Sequence, residues 1–388
     1  MNNAAETLTV IKPSPKSTIT AKPAKRFNIT GTCYPKEHYM VDISGRIAQL
    51  EELVAQGCYL TINRGRQYGK TTMYFNLVER LRPNYVVFSI TLEGVIDDIF
   101  ATPGILAYSI VEKMWKNIKR LRNDEDIDTA KNILHSVLTK YSAEKQMSFE
   151  AFADFVSDLC EDCKKPVVLV IDEGDNASNF DSFVSLLGLF RSSYLRRHEY
   201  PTFQSVVLTG VYDIRNLTYH DRKYPNSPYN IATPIEIDMS FASEEIKRML
   251  DEYECDHRTG MNTCKMAQLI HDYTNGYPFL VSKICSLIDE NCLGWDVDGV
   301  LDAVNMLLSE RITLLTEFYN LMEEYPRLKS LVKDILHGEF VFFSIDILEI
   351  KLAYTFNWFT DDNGRVKISN RIFEMWLKNI FITEDHMI

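Results

Sequence analysis

Residues 166–171 form an apolar run, mostly β-branched, that ends abruptly in Asp172 and Glu173. A run this short and this apolar suits a parallel strand buried on both faces. Three other stretches read as strands of the same sheet: residues 58–63, 85–91 and 203–210. Helical patterns lie between them, so strands alternate with helices. That order predicts an α/β fold with a mostly parallel sheet covered on both faces.

The chemistry follows from what stands at the strand ends. Open α/β sheets bind ligands outside the carboxyl ends of their strands. After residues 58–63 comes Arg64-Gly65-Arg66-Gln67-Tyr68-Gly69-Lys70-Thr71-Thr72, followed by a predicted helix over about 71–82. A loop that wraps a triphosphate turns its backbone N–H groups inward, and glycine is needed where the chain is tight. Gly69 supplies that position, and Lys70 can reach the β- and γ-phosphates as a point charge. Thr71 offers a hydroxyl to Mg²⁺, and the helix start favours an anion. The usual pattern is G-x-x-x-x-G-K-[ST]. This chain carries Arg64 where the first glycine falls, so Gly65 is expected to take over the turn.

Read alone, Gly69-Lys70-Thr71 fits the start of an ordinary helix equally well, and Asp172-Glu173 fits two solvated acids. Together they favour a nucleotide site. Asp172 would hold Mg²⁺ and Glu173 would polarise the attacking water. Thr209 ends the 203–210 strand and reads either as a plain strand end or as a group sensing the γ-phosphate. Hydrolysis also gains from a guanidinium at the γ-phosphate. Arg191, Arg196 and Arg197 are available, and Arg215, shortly after Thr209, is taken as the candidate. Arg64 and Arg66 stand nearest the phosphates along the chain.

These residues carry a resemblance. The stretch from Tyr39-Met40-Val41-Asp42 through Arg66-Gln67-Tyr68-Gly69-Lys70-Thr71 resembles the AAA-like ATP-binding proteins of bacteria, near the STAND and archaeal-type ATPase branch of P-loop proteins. Leu208-Thr209-Gly210, Ser227-Pro228-Tyr229-Asn230-Ile231, Asn275-Gly276-Tyr277-Pro278-Phe279-Leu280 and Ser369-Asn370-Arg371-Ile372-Phe373 extend the likeness over roughly residues 27–380. The resemblance implies ATP rather than GTP, tolerance of Arg64, adenine contacts near Tyr39 and Asp42, and a winged-helix companion. Many longer relatives continue into a PD-(D/E)XK nuclease-like domain. This chain stops at Ile388, so no nuclease activity is carried over.

Beyond residue 240 the pattern turns helical. Ser243, followed by Glu244 and Glu245, reads as a helix cap, and Gly276 and Pro278 break two later helices. From about residue 299 come helices, a short strand over 341–344 and a helix over 346–354. A hairpin at Asn363-Gly364 and a last helix from Arg371 follow. That order resembles a winged helix, yet residues 301–388 hold nine Lys/Arg against fourteen Asp/Glu. Phosphate backbones need clustered cations, so the charge argues against nucleic acid and for a protein contact.

The remaining composition narrows the setting. The chain has 388 residues and a formal charge of −12, and no apolar run nears the ~18–20 residues that span a bilayer. Residues 1–26 lack a signal-peptide core and hold five basic residues against one acid. The scattered cysteines read as reduced thiols of a cytoplasmic protein. Cys160 and Cys163 have zinc or redox spacing but no second pair, so they are read as small core residues.

The expectation is a P-loop NTPase core with a three-layer parallel sheet over 27–240, a helical lid over 241–298 and a winged-helix-like domain over 299–388, after a tail at 1–26. The cofactors are ATP and Mg²⁺, with an unknown protein partner and self-association left open. Arg64, Gly65, Arg66, Gln67, Tyr68, Gly69, Lys70, Thr71 and Thr72 would hold the nucleotide. Thr71 and Asp172 would hold the metal, and Lys70, Glu173, Thr209 and Arg215 would act in hydrolysis. A nucleotide-gated module with little turnover and a DNA-associated defence or mobile-element ATPase remain as alternatives.

Overall fold

The computed structural model describes residues 25–63, 65, 67–94, 97–121, 124–210, 232–234 and 238–387. Arg26–Phe27 (β1) pairs in parallel with His38–Tyr39 (β2), and Ser44–Ala55 (α1) leads into Leu60–Asn63 (β3). Lys70–Leu81 (α2) and Val86–Thr91 (β4) come next, then the helices Pro103–Ile118 (α3), Glu125–Lys140 (α4) and Phe149–Asp162 (α5). Val167–Asp172 (β5), Asp181–Leu195 (α6), Ser205–Gly210 (β6) and Thr233–Pro234 (β7) follow.

The five strands β3 to β7 form one parallel sheet in the order β4-β5-β6-β3-β7. Their side chains alternate between two apolar layers, as strand geometry requires. Val167, Leu169 and Ile171 pack with α3 to α6, while Val168 and Val170 pack with Val54, Met73 and Leu77 of α1 and α2. Every residue of β5 is buried, which is why its sequence shows no polar alternation. Truncating Leu169 to alanine there would cost about 2–5 kcal/mol.

The rest of the described chain is mostly helical. Ser243–His257 (α7), Thr263–Thr274 (α8), Pro278–Glu290 (α9) and Val297–Ser309 (α10) precede Thr313–Glu324 (α11), Pro326–Leu336 (α12) and Leu348–Thr355 (α13). Phe359–Asp362 (β8) and Arg365–Ile368 (β9) form an antiparallel hairpin before Arg371–Met387 (α14). These elements share one apolar cluster, which also takes in Phe27, Tyr39 and Val41 from the start of the chain.

Two local expectations are corrected. Ser243 is the first residue of α7 rather than its cap; Ala242 holds that place, and its N–H donates to Glu245 Oε2 at 2.9 Å. The long carboxylate thus satisfies the backbone N–H of the cap residue itself. Residues 341–344 do not extend into a full strand but make a single antiparallel bridge, Phe342 with Arg365.

The fold places a site by its sheet order. The chain leaves β3 for β4 at the far side, then passes from β6 across β3 to β7. Crossovers that diverge in this way leave a crevice at the carboxyl ends of the central strands.

Candidate functional site

Polar residues meet at the carboxyl ends of β4, β5 and β6. Parallel register sets Thr91 beside Asp172, Ile171 beside Leu208, and Ile62 beside Thr209. Thr209 is fully buried and its hydroxyl donates to Asp172 Oδ1, which also accepts the Glu173 N–H at 3.1 Å. Asp172 is 7 % exposed, so this bonding fixes a carboxylate that the apolar strands alone would not tolerate. The sequence assigned Thr209 to the site; the register shows that it lies beside Asp172.

Glu173 comes next and adopts φ 55°. A non-glycine residue in the left-handed region stores strain, and such strain clusters at functional sites. Here the turn brings Glu173 to the wall of a cavity of about 410 Å³, a volume within the range of small-molecule sites. Lys70 and Thr71 line the same cavity. Lys70 is 7 % exposed.

The loop before α2 is built by two different uses of glycine. Gly69 has φ 82° and caps α2, and a Cβ there would meet only Met239 Cε at 3.8 Å. Conformation, not space, requires glycine at 69. Gly65 was expected to take over the missing turn; its φ lies outside the left-handed region, which Gln67 occupies at 57°. What Gly65 provides is room. A Cβ on it would fall 2.6 Å from the carbonyl oxygen of Phe356, just after α13. The loop and the C-terminal region are therefore in backbone contact.

Tyr68 extends that joint. Its ring meets Tyr277 edge-on at 4.6 Å, and Tyr277 meets Phe373 of α14 at 5.6 Å. Burial pushes the Tyr277 hydroxyl well above its ordinary pKa, so it stays neutral. Thr72 also lines the cavity, but its hydroxyl accepts the Cys33 N–H at 3.1 Å and so anchors the segment before β2. Arg64, Arg66 and Arg215 lie outside the described residues, as do residues 227–231.

The cavity lining combines two kinds of residue. Lys70, Thr71, Glu173 and Glu93 are polar or charged, whereas Ile43, Met239, Met249 and Phe279 are apolar. A ligand with both charged and apolar parts fits such a lining, and the twelve-residue α2 begins at Lys70 on the cavity wall. Met249 and Phe279 of that lining arrive from α7 and α9, within the segment 241–298 that the sequence reading expected to be a helical lid. The Gly276-Tyr277-Pro278 break lies in the same segment. Gly276 there packs so tightly that a Cβ would fall 2.2 Å from Phe241 O.

Other residues singled out earlier go elsewhere. Tyr39 lines the cavity, but its hydroxyl is bound into the helical cluster, donating to Asp256 Oδ2 at 2.9 Å. Asp42 accepts the Ser44 N–H at 2.9 Å, which holds its carboxyl below the usual range. Arg197 donates to Gly57 O at 2.7 Å, at the opposite end of the sheet, and Arg196 pairs with Glu199. Cys160 and Cys163 sit in the α3–α6 layer, where burial pushes the Cys163 thiol up to about 11.

A family model described as an AAA-like domain matches residues 36–379. The chain belongs to the AAA-like domain family. The Walker-type ATPase paby2304 of Pyrococcus abyssi is similar in fold, with a TM-score of 0.59 at 14% identity, covering 91% of this chain and 99% of that one. The Aeropyrum pernix ORC2 protein in its ADPNP–ADP complexes gives a TM-score of 0.46 at 12% identity, covering 92% and 97%. No curated protein is a significant match. Membership in the AAA-like family agrees with an α/β fold built on a parallel sheet. Among the described residues, no helix is long and apolar enough to cross a membrane.

Proposed function

We propose that this chain binds ATP with Mg²⁺ in the cavity and hydrolyses it to drive a conformational switch. The reading rests chiefly on one observation: Lys70, Thr71 and Glu173 line a single cavity, at strand ends where Thr209 holds Asp172 in place. Lys70 would hold the phosphates against the start of α2, and Thr71 and Asp172 would hold the metal. Bound magnesium would neutralise charge on the phosphate oxygens. Glu173 would take the proton of a water whose oxygen attacks the γ-phosphorus as the bond to the bridging oxygen breaks. Thr209 would keep Asp172 oriented. Arg215, Arg64 and Arg66 remain candidates for charge stabilisation, on sequence grounds alone.

Residues 241–298 would act as a lid, since α7 and α9 supply apolar residues of the lining. Residues 299–388 would form a winged-helix-like domain. A second reading, a nucleotide-gated module with little turnover, is favoured by the close approach of Gly65 to Phe356. Either way, a change in the loop would be felt in the C-terminal region. Phosphate release from MgATP separates them, with Glu173→Gln and Lys70→Ala beside the parent chain. Hydrolysis predicts a fall of about 10²–10⁴ in Glu173→Gln with ATP binding kept. Binding without release in the parent chain would sink the hydrolytic reading and leave the gated module.

A further inference from the structure

The segment from Phe340 through α13, just before the C-terminal hairpin, carries an exposed apolar surface that no part of the described chain covers. Among the described residues, six of the twelve exposed large apolar residues fall within fifteen positions: Phe340, Phe342, Ile345, Ile347, Leu348 and Tyr354. Phe340 and Phe342 are 69 % and 66 % exposed, so most of their apolar surface stays in water. They alternate with Val341 and Phe343, which turn inward to pack on the helical cluster. The rings belong to one neighbourhood. Phe343 meets Tyr354 of α13 at 5.1 Å, and Arg365 of β9 lies 5.8 Å over Phe340. Contiguous apolar surface of this kind marks an interaction site.

The backbone says what shape of partner fits. Phe343 N donates to Gly364 O and Val366 N to Val341 O, so residues 341 and 343 spend their amide groups on β9. Alternation then turns the N–H and C=O of Phe342 to the outer edge. Among the described residues neither group meets a partner. An unpaired edge flanked by apolar side chains is a template for one more strand.

Charge says what that strand carries. Residues 339–362 hold Glu339, Asp346, Glu349, Asp361 and Asp362 against a single cation, Lys351. The neighbouring cations are already engaged: Arg365 donates to the carbonyls of Gly338 and Glu339, and Lys367 pairs with Asp362. An acidic rim repels a phosphate backbone. It also repels a second copy of itself, because face-to-face docking would oppose carboxylates to carboxylates. We propose that this surface docks an extended segment of a partner protein. That segment adds a strand along residues 340–344 and carries apolar residues at alternate positions, flanked by Lys or Arg.

The test pans a random peptide library displayed on phage against the full chain, then measures binding of an enriched synthetic peptide. Enriched sequences show apolar residues at every second position with flanking Lys or Arg. Phe342→Ser weakens the peptide by about tenfold or more, and Asp346→Lys weakens it by about threefold, an effect that salt erases. Both positions are exposed, so the variants keep the thermal midpoint of the parent chain. Absence of enrichment, or binding indifferent to Phe342→Ser, overturns the proposal. So does a dimer by sedimentation that Phe342→Ser dissolves, which gives the surface to a second copy. A carbodiimide cross-link from Lys12, Lys16 or Lys22 to Asp346 or Glu349 within a monomer also overturns it, and gives the surface to the chain's own first residues.

Discussion

At the amino end of the parallel sheet, Arg197 donates to Gly57 O at 2.7 Å and Gln204 to Val54 O and Ala55 O at 3.1 Å each. Ser205 Oγ donates to Cys58 O at 2.6 Å. These bonds tie the end of α1 to the starts of β3 and β6. At the carboxyl end of the same strands, Thr209 and Asp172 bond to each other, while Lys70, Thr71 and Glu173 border a cavity. One end spends its polar groups on holding the strands together. The other arranges them around a space of ligand size. Identical strand chemistry thus serves stability at one end and, on the proposed reading, reaction at the other.

That contrast can be broken from either side. Asp172→Asn removes the proposed metal-holding charge, and phosphate release from MgATP should fall by about 10²–10³. Chemical unfolding of the nucleotide-free protein should change by no more than about 1 kcal/mol, since the amide keeps the shape. Loss of the fold instead would make Asp172 a structural residue.

The reverse pattern is expected at the other end. Ser205→Ala strips a fully buried hydroxyl and leaves Cys58 O without its donor, at a cost of about 1–3 kcal/mol in urea unfolding. Affinity for ATP should stay within about twofold, because the strand ends that hold the ligand lie a full strand length away. A matching loss of affinity would show that the two ends are not separable.

The smallest effect sharpens the comparison inside the loop. Gly69→Ala places a methyl in ordinary contact with Met239 Cε but forces alanine into a left-handed conformation, at about 1 kcal/mol. The prediction is an affinity loss of about fivefold by titration calorimetry. No loss would mean that the loop relaxes freely around position 69.

How far the sequence foretold this depends on the range over which each feature is decided. The strand Val167–Asp172 was expected at 166–171 and α2 near 71–82, because burial on both faces and a Gly-Lys-Thr start are local signals. That Thr209 would lie beside Asp172 was not legible, since strand order is fixed by packing between distant segments. That Gly65 would lie against a distant backbone was not legible for the same reason. Its neighbour, Phe356, lies almost three hundred positions along the chain, and no local pattern reports a backbone that close. The segment at 341–344 was expected as a strand, but it pairs only through the one bridge to Arg365.

The central claim is that the cavity above Lys70 takes ATP. Titration calorimetry of the full chain with ATP and Mg²⁺, run beside Lys70→Ala, tests it most directly. The account predicts saturable one-site binding in the parent chain and a loss of about a hundredfold or more in the variant, as removal of a buried cation facing phosphate requires. Equal binding by both proteins, or no heat from the parent chain at millimolar ATP, would contradict it.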